Sequence, residues 1–388
     1  MTRPRIAFFG SSLVSAYWNG AATYYRGIVR ALHEQGYDVT FYEPDAYDRQ
    51  RHRDIPDPDW ARVVVYSIDG EGEVYRALEA ARHADIIVKT SGVGAFDQLL
   101  ERAVPDVKRS GATVIFWDVD APATLERLAA DPSDPFHQQV PRYDLVLTYG
   151  GGDPVVRGYT AVGAKLCVPV YNAVDPSTHF PVAPDSRFEA DLGFLGNRLP
   201  DRERRVEQFF LAAAERLPAA SFLLGGNGWH DKPMPANVRY AGHVYTRDHN
   251  AFNCTPHVVL NISRESMARF GFSPATRVFE AAGAGACLIT DRWEGIELFL
   301  EPEREVLVAA DGIDVADLVL GLDPSRARAI GDTARKRVLN EHTYTHRAAQ
   351  LGALLGKAPA ARGRRAAAER ELAGVPVSPG RTERVATS

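Results

Sequence analysis

The first 150 residues alternate between short apolar runs and segments whose apolar residues recur at helical spacing. The runs predict strands at 5–10, 37–42, 62–66, 85–89, 113–117 and 145–149, and the spacing predicts helices near 24–32, 73–81, 96–108 and 123–130. This alternation predicts a parallel sheet with helices on both faces. The loop that follows the first run, GSSLVSAYWNG, lacks the G-x-G-x-x-G spacing and fails as a dinucleotide-binding fingerprint.

The alternation stops at 168–181, a segment with three prolines, and resumes at 191–196. We therefore expect an α/β chain with a first domain at 1–175 and a second domain at 185–340. The patterns of the second part predict a helix at 202–216, strands at 222–224, 238–240, 258–260, 286–290 and 306–309, and helices at 325–340 and 342–355. We interpret 341–357 as a closing helix, and the lack of an apolar period at 358–388 predicts a disordered tail.

Composition narrows the class of protein. A net charge of −5 and a pI near 6.1 give no basic field for nucleic acid, so we expect no nucleic-acid partner. The chain has three cysteines, without metal or disulfide spacing, which favours the cytoplasm. No apolar run approaches the roughly 18 residues of a membrane span, so we expect no transmembrane segment. A homodimer is compatible with the sequence.

The stretch 261–299 carries the most specific pattern. Ser273 followed by Pro274 predicts a helix start, with Ser273 as the N-cap. Arg277 and Glu280 lie three residues apart on this helix, after a loop that contains Gly271 and Phe272. An open helix N-terminus and an arginine suit a diphosphate, and a carboxylate accepts hydrogen bonds from ribose hydroxyls. The alternative is a buried alanine- and glycine-rich helix with an incidental Arg and Glu.

The spelling P-x-x-R-x-F-E-A-x-G-x-G at 274–285 resembles the donor-binding half of two-domain glycosyltransferases of the GT-B kind, nearest to the spore-maturation CgeB type and the family 1 type. The resemblance implies two Rossmann-like domains that face a central cleft, with a C-terminal helix that crosses back to the first domain. It also implies that Glu280 holds the nucleotide ribose. Many retaining relatives have a second acid eight residues earlier, where this chain has Phe272, so the stereochemistry of the reaction is not carried over.

Two further segments of the second domain are candidates for donor contacts. Arg198 and Arg202 follow the strand at 191–196 and could reach a diphosphate; the alternative is a solvated, charged helix start. Gly226 lies in a loop after the next strand, on the expected path of the nucleotide. The segment with Tyr240, Gly242 and His243 resembles the one whose backbone reads the base edge, and a tight turn is the alternative.

The first domain offers the candidates for acceptor chemistry. Asp118 and Asp120 end a strand, and alternation places both on one side of the chain, where one could deprotonate an acceptor hydroxyl. A metal-bridged diphosphate and simple helix capping are the alternatives for this D-x-D pattern. Four residues are expected to face the cleft from the acceptor side: Asn19, Gly20, Gly150 and Gly151.

The sequence thus predicts a metal-independent glycosyltransferase without a cofactor. Its substrates would be a nucleoside-diphosphate sugar, with UDP as the expected carrier, and an unidentified small-molecule or glycan acceptor. A nucleotide-sugar epimerase on the same fold and a non-catalytic nucleotide-sugar binding protein are the alternatives.

Overall fold

The structure is a computed structural model that describes residues 3–356. The first half of the chain contributes seven strands: β1 (Arg5–Phe9), β2 (Asp38–Pro44), β3 (Arg62–Tyr66), β4 (Ile86–Thr90), β5 (Thr113–Asp118), β6 (Leu145–Thr148) and β7 (Cys167–Pro169). They pair in parallel in the order β3-β2-β1-β4-β5-β6-β7. The central strand β4 is buried along its whole length, because helices cover both faces of the sheet.

The second half forms a separate parallel sheet of six strands: β8 (Leu192–Leu195), β9 (Phe222–Gly225), β10 (Val238–Gly242), β11 (Val258–Asn261), β12 (Leu288–Asp291) and β13 (Leu307–Ala309). Their order is β10-β9-β8-β11-β12-β13. The predicted α/β class with two parallel sheets is therefore confirmed.

The helices connect the strands in both domains. In the first domain they are α1 (Ala22–Glu34), α2 (Glu71–Ala81), α3 (Asp97–Val107), α4 (Ala121–Ala130), α5 (Phe136–Gln139) and α6 (Gly152–Ala161). The first helical segments of the second domain are α7 (Pro200–Val206), a π-helical turn (Glu207–Leu211) and α8 (Ala212–Arg216). Together they occupy the single helix predicted at 202–216. The rest are α9 (His249–Cys254), α10 (Glu265–Phe270), α11 (Thr276–Gly283), α12 (Gly312–Gly321), α13 (Pro324–Glu341) and α14 (Tyr344–Leu355).

The sequence patterns missed one strand and several helices. They gave no signal for β7 or for α5, α6, α9, α10 and α12. The edge strand β7 has only three residues, which is too short for a readable period. The predicted strand at 286–290 begins later, at Leu288. The backbone N–H of Ala286 donates to the carbonyl of Ala281 and so still belongs to the end of α11.

The last helix, α14, crosses back to the first domain, as the resemblance implied. Its side chains Tyr344, Ala348 and Leu351 belong to the apolar core around α1 and not to the core of the second domain. Thr343 starts the helix with a capping box that includes His346. Burial of each large side chain contributes about 1.5–3 kcal/mol, so α14 is an integral part of the first domain.

None of the helices within residues 3–356 combines the length and the apolar character that a bilayer span requires. The tail predicted as disordered, 358–388, lies outside the described residues.

The docking of α14 on α1 can be tested at Gly27. A Cβ at this helical glycine would lie 2.1 Å from the ring of Tyr344. We expect Gly27→Ala to lower the free energy of unfolding by about 1–3 kcal/mol through overpacking. In the matched control Gly72→Ala, on α2, the new methyl group meets nothing within 4 Å, so stability should hold or rise by up to about 1 kcal/mol. Denaturant titration measures both, and equal effects in the two variants would disprove the docking.

Candidate functional site

A cleft of about 700 Å³ lies between the carboxyl ends of the two sheets. The first domain lines it with residues that follow β1, β4, β5 and β6, and the second domain with residues that follow β8, β9, β10 and β11. The start of α11, from Ala275 to Arg277, closes the floor. Carboxyl ends of parallel strands are the usual place for ligands in open α/β sheets, so this cleft is the candidate site.

Glu280 is the most buried charge in the cleft, with 3% of its surface exposed. Burial alone would raise the pKa of this carboxyl, but the neighbouring charge of Arg277, whose Nη1 lies 3.2 Å from the carboxylate, lowers it to about 2. Arg277 also lines the cleft, and its Nε makes no hydrogen bond within the described residues. The structure therefore presents an ionised carboxylate and a guanidinium with an unused donor to the same space.

Two histidines surround this ion pair. His179 from the domain junction has its Nε2 3.8 Å from Glu280, and burial lowers the pKa of His179. Burial lowers the pKa of His249 to about 3, so both imidazoles are neutral near pH 7. One ligand atom from each of His179, His249 and Glu280 lies within 4.8 Å of the others, which is a set of metal-ligand types. However, Arg277 already supplies the counter-charge of Glu280, and a cation added there would be repelled by it.

The predicted helix start at Ser273 and Pro274 is wrong. The helix begins at Thr276, with Ala275 as its N-cap residue. The Ser273 hydroxyl donates instead to the carbonyl of Gly271 at 2.9 Å, and the Pro274 carbonyl accepts from the Asn172 amide at 2.8 Å. This extended segment shifts the open N-terminus by about half a turn, and Arg277 becomes a first-turn residue.

Five residues expected at the site lie instead in the contact between the domains. Phe272 adopts φ 48° and packs between two glycines, since a Cβ would come within 2.7 Å of its ring at Gly152 and 2.2 Å at Gly295. The backbone N–H of Gly151 donates to the carbonyl of Phe272 at 2.7 Å. The five are Gly150, Gly151, Gly271, Phe272 and Ser273, and none of them is among the residues that line the cleft.

The two arginines predicted at the start of the second domain differ in position, because only one of them lines the cleft. Arg202 lines the cleft, its Nε is buried without a partner, and burial lowers its pKa. Arg198 does not line the cleft, because its guanidinium bonds to Glu203 at 2.7 Å and to Asp231 at 2.8 Å. Arg198 thus secures the surface of the domain, and the diphosphate contact expected from it stays a prediction that this pairing does not support.

The two acids of the D-x-D pattern also differ in position, because only Asp120 lines the cleft. Asp118 is fully buried, and its carboxylate accepts from the hydroxyl of Tyr159 and from the backbone N–H of Asp120. The prediction that Asp118 faces the cleft is therefore wrong. Asp120 lines the cleft and pairs across the domains with Arg264, at 2.5 Å. Burial raises the pKa of Asp120, and the charge of Arg264 opposes this rise.

The segment expected to read the base is built around Gly226. This residue has φ 120°, and a Cβ here would lie 2.3 Å from the carbonyl oxygen of Gly196. Tyr240 and Gly242 support the loop from behind: the Tyr240 hydroxyl donates to the Gly226 carbonyl, and the Gly226 N–H donates to the Gly242 carbonyl, both at 2.8 Å. Gly226 and His243 line the cleft, whereas Tyr240 and Gly242 do not.

On the opposite wall, Asn19 and Gly20 line the cleft as expected. The side chain of Asn19 is buried and donates to the carbonyls of Ser12 and Ser15, at 2.9 and 3.0 Å, so it fixes the loop after β1. This loop presents Trp18, which is 43% exposed at φ 48°.

Sequence reasoning missed several residues of the cleft, among them Thr23, Arg264 and His249. Arg264 comes just after β11, and its place at a strand end was a signal that could have found it. Thr23 and His249 begin helices that carry no motif, and only the packing of the two domains brings them to Glu280.

Residues 202–353 match the family model described as glycosyl transferase-like, over most of the second domain and the closing helices. No curated protein matches the sequence.

Solved structures match the fold at low identity. Sucrose-phosphate synthase from Thermosynechococcus elongatus is 15% identical, with a TM-score of 0.66 over 94% of this chain and 100% of its own. HepE from Anabaena, in complex with UDP and glucose, is 13% identical, with a TM-score of 0.64 over 92% of this chain and 100% of its own. AviGT4, a glycosyltransferase involved in avilamycin A biosynthesis, is 16% identical, with a TM-score of 0.59 over 96% of this chain and 99% of its own. The predicted GT-B fold is confirmed; the CgeB subtype stays a prediction.

The close approach of Gly226 to the Gly196 carbonyl can be tested by its effect on stability. We expect Gly226→Ala to lower the free energy of unfolding by about 3 kcal/mol, because a backbone strain of roughly 1–3 kcal/mol adds to a clash with a backbone carbonyl. Gly242→Ala is the matched control, since its φ is also positive but its new methyl group meets nothing within 4 Å. It should lose only about 1–2 kcal/mol. If calorimetry finds the control variant equally destabilised, the close approach at Gly196 is not real.

Proposed function

We propose that this GT-B-fold protein is a glycosyltransferase that moves a sugar from a nucleoside-diphosphate donor to an acceptor bound by the first domain. The observation that carries this proposal is one cleft in which Arg202, Arg277, Glu280 and the loop of His243 meet. A diphosphate, a ribose and a base need cationic, carboxylate and backbone contacts in that combination. The glycosyltransferase-like match over 202–353 covers the same side of the cleft.

The donor side supplies the stabilisation of the leaving group. Arg202 and Arg277 enter the cleft with Nε donors that no described residue uses, and the start of α11 adds backbone N–H groups. As the bond to the sugar breaks, negative charge grows on the diphosphate, and fixed donors inside a cleft stabilise such charge strongly. Glu280 accepts from the ribose hydroxyls. The presence of UDP in the HepE complex supports UDP as the carrier.

No metal is needed in this scheme. The two arginines neutralise the diphosphate, and Arg277 is the counter-charge of Glu280 beside His179 and His249. The protein's cysteines, Cys167, Cys254 and Cys287, are free thiols. Burial raises the pKa of Cys167 and of Cys287 to about 12. Unpaired, protonated thiols suit a reducing compartment, and we place the enzyme in the cytoplasm.

Asp120 takes the acceptor proton. The acceptor oxygen forms a bond to the anomeric carbon, the bond from that carbon to the diphosphate oxygen breaks, and the hydroxyl proton passes to the Asp120 carboxylate. Of the two acids that the sequence offered, only Asp120 lines the cleft. Its raised pKa suits a base, and Arg264 holds it in position from the donor domain.

Glu280→Gln tests the donor site. The variant keeps the shape of the side chain but loses the charge-assisted hydrogen bonds to ribose, so the Kd for UDP should rise roughly 10- to 100-fold. Stability should also fall, since Arg277 loses its buried partner. Calorimetric titration with UDP well below the melting temperature separates the two effects. Glu297→Gln, at an exposed site, is the control and should bind as the parent does. Unchanged affinity in Glu280→Gln would place the nucleotide elsewhere.

Asp120→Asn tests the base. Release of UDP from UDP-glucose, UDP-galactose and UDP-N-acetylglucosamine should fall by about two to four powers of ten, while the Kd for UDP holds. EDTA should change neither quantity. Equal loss of UDP affinity, with sensitivity to EDTA, would support a metal-bridged diphosphate instead. Undiminished release would show that the leaving phosphate takes the proton. A parent protein that binds UDP-sugars but releases no UDP would be a binding protein and not an enzyme.

A further inference from the structure

The first-domain wall of the cleft continues into a polar recess between α1, β4 and the loop after β2. We call it the acceptor-side recess. It is lined by Ser11, Tyr25, Arg49, Ser91, Asp97 and Glu101, all of which belong to the lining of the cleft. None of these residues has a role in the donor chemistry described above.

Three polar atoms at the recess are buried and unused. The hydroxyl of Tyr25, the Nε of Arg49 and the hydroxyl of Thr90 have no hydrogen-bond partner within the described residues. Tyr25 is 0% exposed and Arg49 is 6% exposed. Burial raises the pKa of Tyr25, while Thr90, Ser11 and the charge of Arg49 lower it in part, so the unused groups are neighbours. Each unpaired buried group costs about 1–3 kcal/mol, which is rare in a cluster unless a ligand or water completes it.

The walls around these atoms are held in place. Arg49 donates to the backbone carbonyls of Ser11 and Trp18, at 3.2 and 3.3 Å. Asp97 accepts from the backbone N–H groups of Val93 and Gly94, at 3.1 and 2.9 Å. Arg49 and Asp97 therefore belong to a fixed frame, beside the hydroxyls of Tyr25 and Thr90.

The charges at the recess select the kind of ligand. Lys89 is fully buried and is already paired with Asp97 at 2.8 Å and with Glu101 at 3.3 Å. Arg49 has no carboxylate within 4 Å in the described part of the chain. Burial lowers its pKa, and the electrostatic effects of Tyr47, Tyr25 and buried Glu43 oppose this in part. Three carboxylates thus face two cations, which disfavours an anionic ligand.

An apolar ligand fits no better, because it would leave the three polar atoms unpaired. A neutral hydroxyl group both donates and accepts, so it can bond to the Arg49 Nε, to the two hydroxyls and to the carboxylate oxygens of Asp97.

We propose that the acceptor is an uncharged polyhydroxylated molecule, of which a sugar is the model, and that its hydroxyl groups occupy the acceptor-side recess at Tyr25, Arg49 and Thr90. This inference rests on the proposed function for the transfer step, since it names the substrate class that receives the sugar. The binding itself is independent of transfer and can be measured without donor.

Tyr25→Phe and Thr90→Val remove one unused hydroxyl each and keep the shape of the side chain. Methyl α-glucoside and maltose serve as neutral probes, glucuronate as the anionic probe and 4-nitrophenol as the apolar probe. We expect the neutral sugars to raise UDP release from the donors above the level with water alone. Each variant should raise the KM for these sugars roughly tenfold and leave the Kd for UDP unchanged.

Two controls match the variants. Thr148→Val removes another buried hydroxyl without a partner, on β6, two strands away from Thr90 on β4. Tyr42→Phe changes a tyrosine that stacks on Phe9 on the first sheet. Both should leave the KM for the sugars unchanged. Loss of an unpaired hydroxyl should not lower the melting temperature, so a folding defect would be visible separately.

The proposal is overturned if glucuronate or 4-nitrophenol is the better acceptor, or if the neutral sugars act but both recess variants keep the parent KM. The second result would mean that the recess holds only water. Saturation-transfer NMR with methyl α-glucoside and no donor separates this failure from that of the proposed function. Binding that depends on Thr90, without UDP release from any donor, would support the recess and refute transfer. No binding and no release would refute both.

Discussion

Glu280 lies where three parts of the chain meet: helix α11 of the donor domain, the junction at His179, and the start of α1 at Thr23, whose hydroxyl helps to lower the pKa of the carboxyl. An ionised carboxylate out of contact with water needs a charged partner, and a lone one would be expelled or protonated. Arg277 provides that partner from the preceding turn of the same helix. The close approach of α11 to the junction depends in turn on Gly283, where a Cβ would lie 2.5 Å from Val174. The same contacts around Glu280 therefore form the donor site and hold α11 against the junction between the domains.

The contacts between the domains include polar pairs beside the apolar contacts of Phe270 and Phe272 with the first domain. Asp120 pairs with Arg264, and the hydroxyl of Thr246 donates to Asp54, both at 2.5 Å. Partly exposed pairs of this kind contribute about 1 kcal/mol or less, because water replaces them when they separate. These polar pairs can therefore separate at little cost when a nucleotide enters, while α14 stays anchored in the first domain. A cleft that must take up and release charged ligands needs this division between a polar rim and an apolar anchor.

Much of the fold could be predicted from the sequence, because buried parallel strands are short apolar runs and their helices keep a 3.6-residue period. The site was less accessible. Arg198 and Arg202 have the same side chain and follow the same strand. Only the ion pairs with Glu203 and Asp231 hold the Arg198 guanidinium outside the cleft. The rule for Ser-Pro helix starts failed because Pro274 bonds to Asn172, a residue from the other domain. Side-chain direction at such places is set by tertiary partners, which local patterns do not contain.

The return of α14 has a consequence for the order in which the protein is made. Strands β1 to β7 leave the ribosome before the second domain does, but Tyr344, Ala348 and Leu351, which complete the core around α1, follow that domain. Until they emerge, the face of α1 at Gly27 lacks its apolar cover, even though the sheet beneath it can already pair. The nascent first domain must therefore remain in solution as an incomplete unit while the second domain is translated, and a ribosome that stalls before Tyr344 leaves an exposed apolar groove for chaperones to cover. Chain termination late in the message would thus damage the domain that was synthesised first.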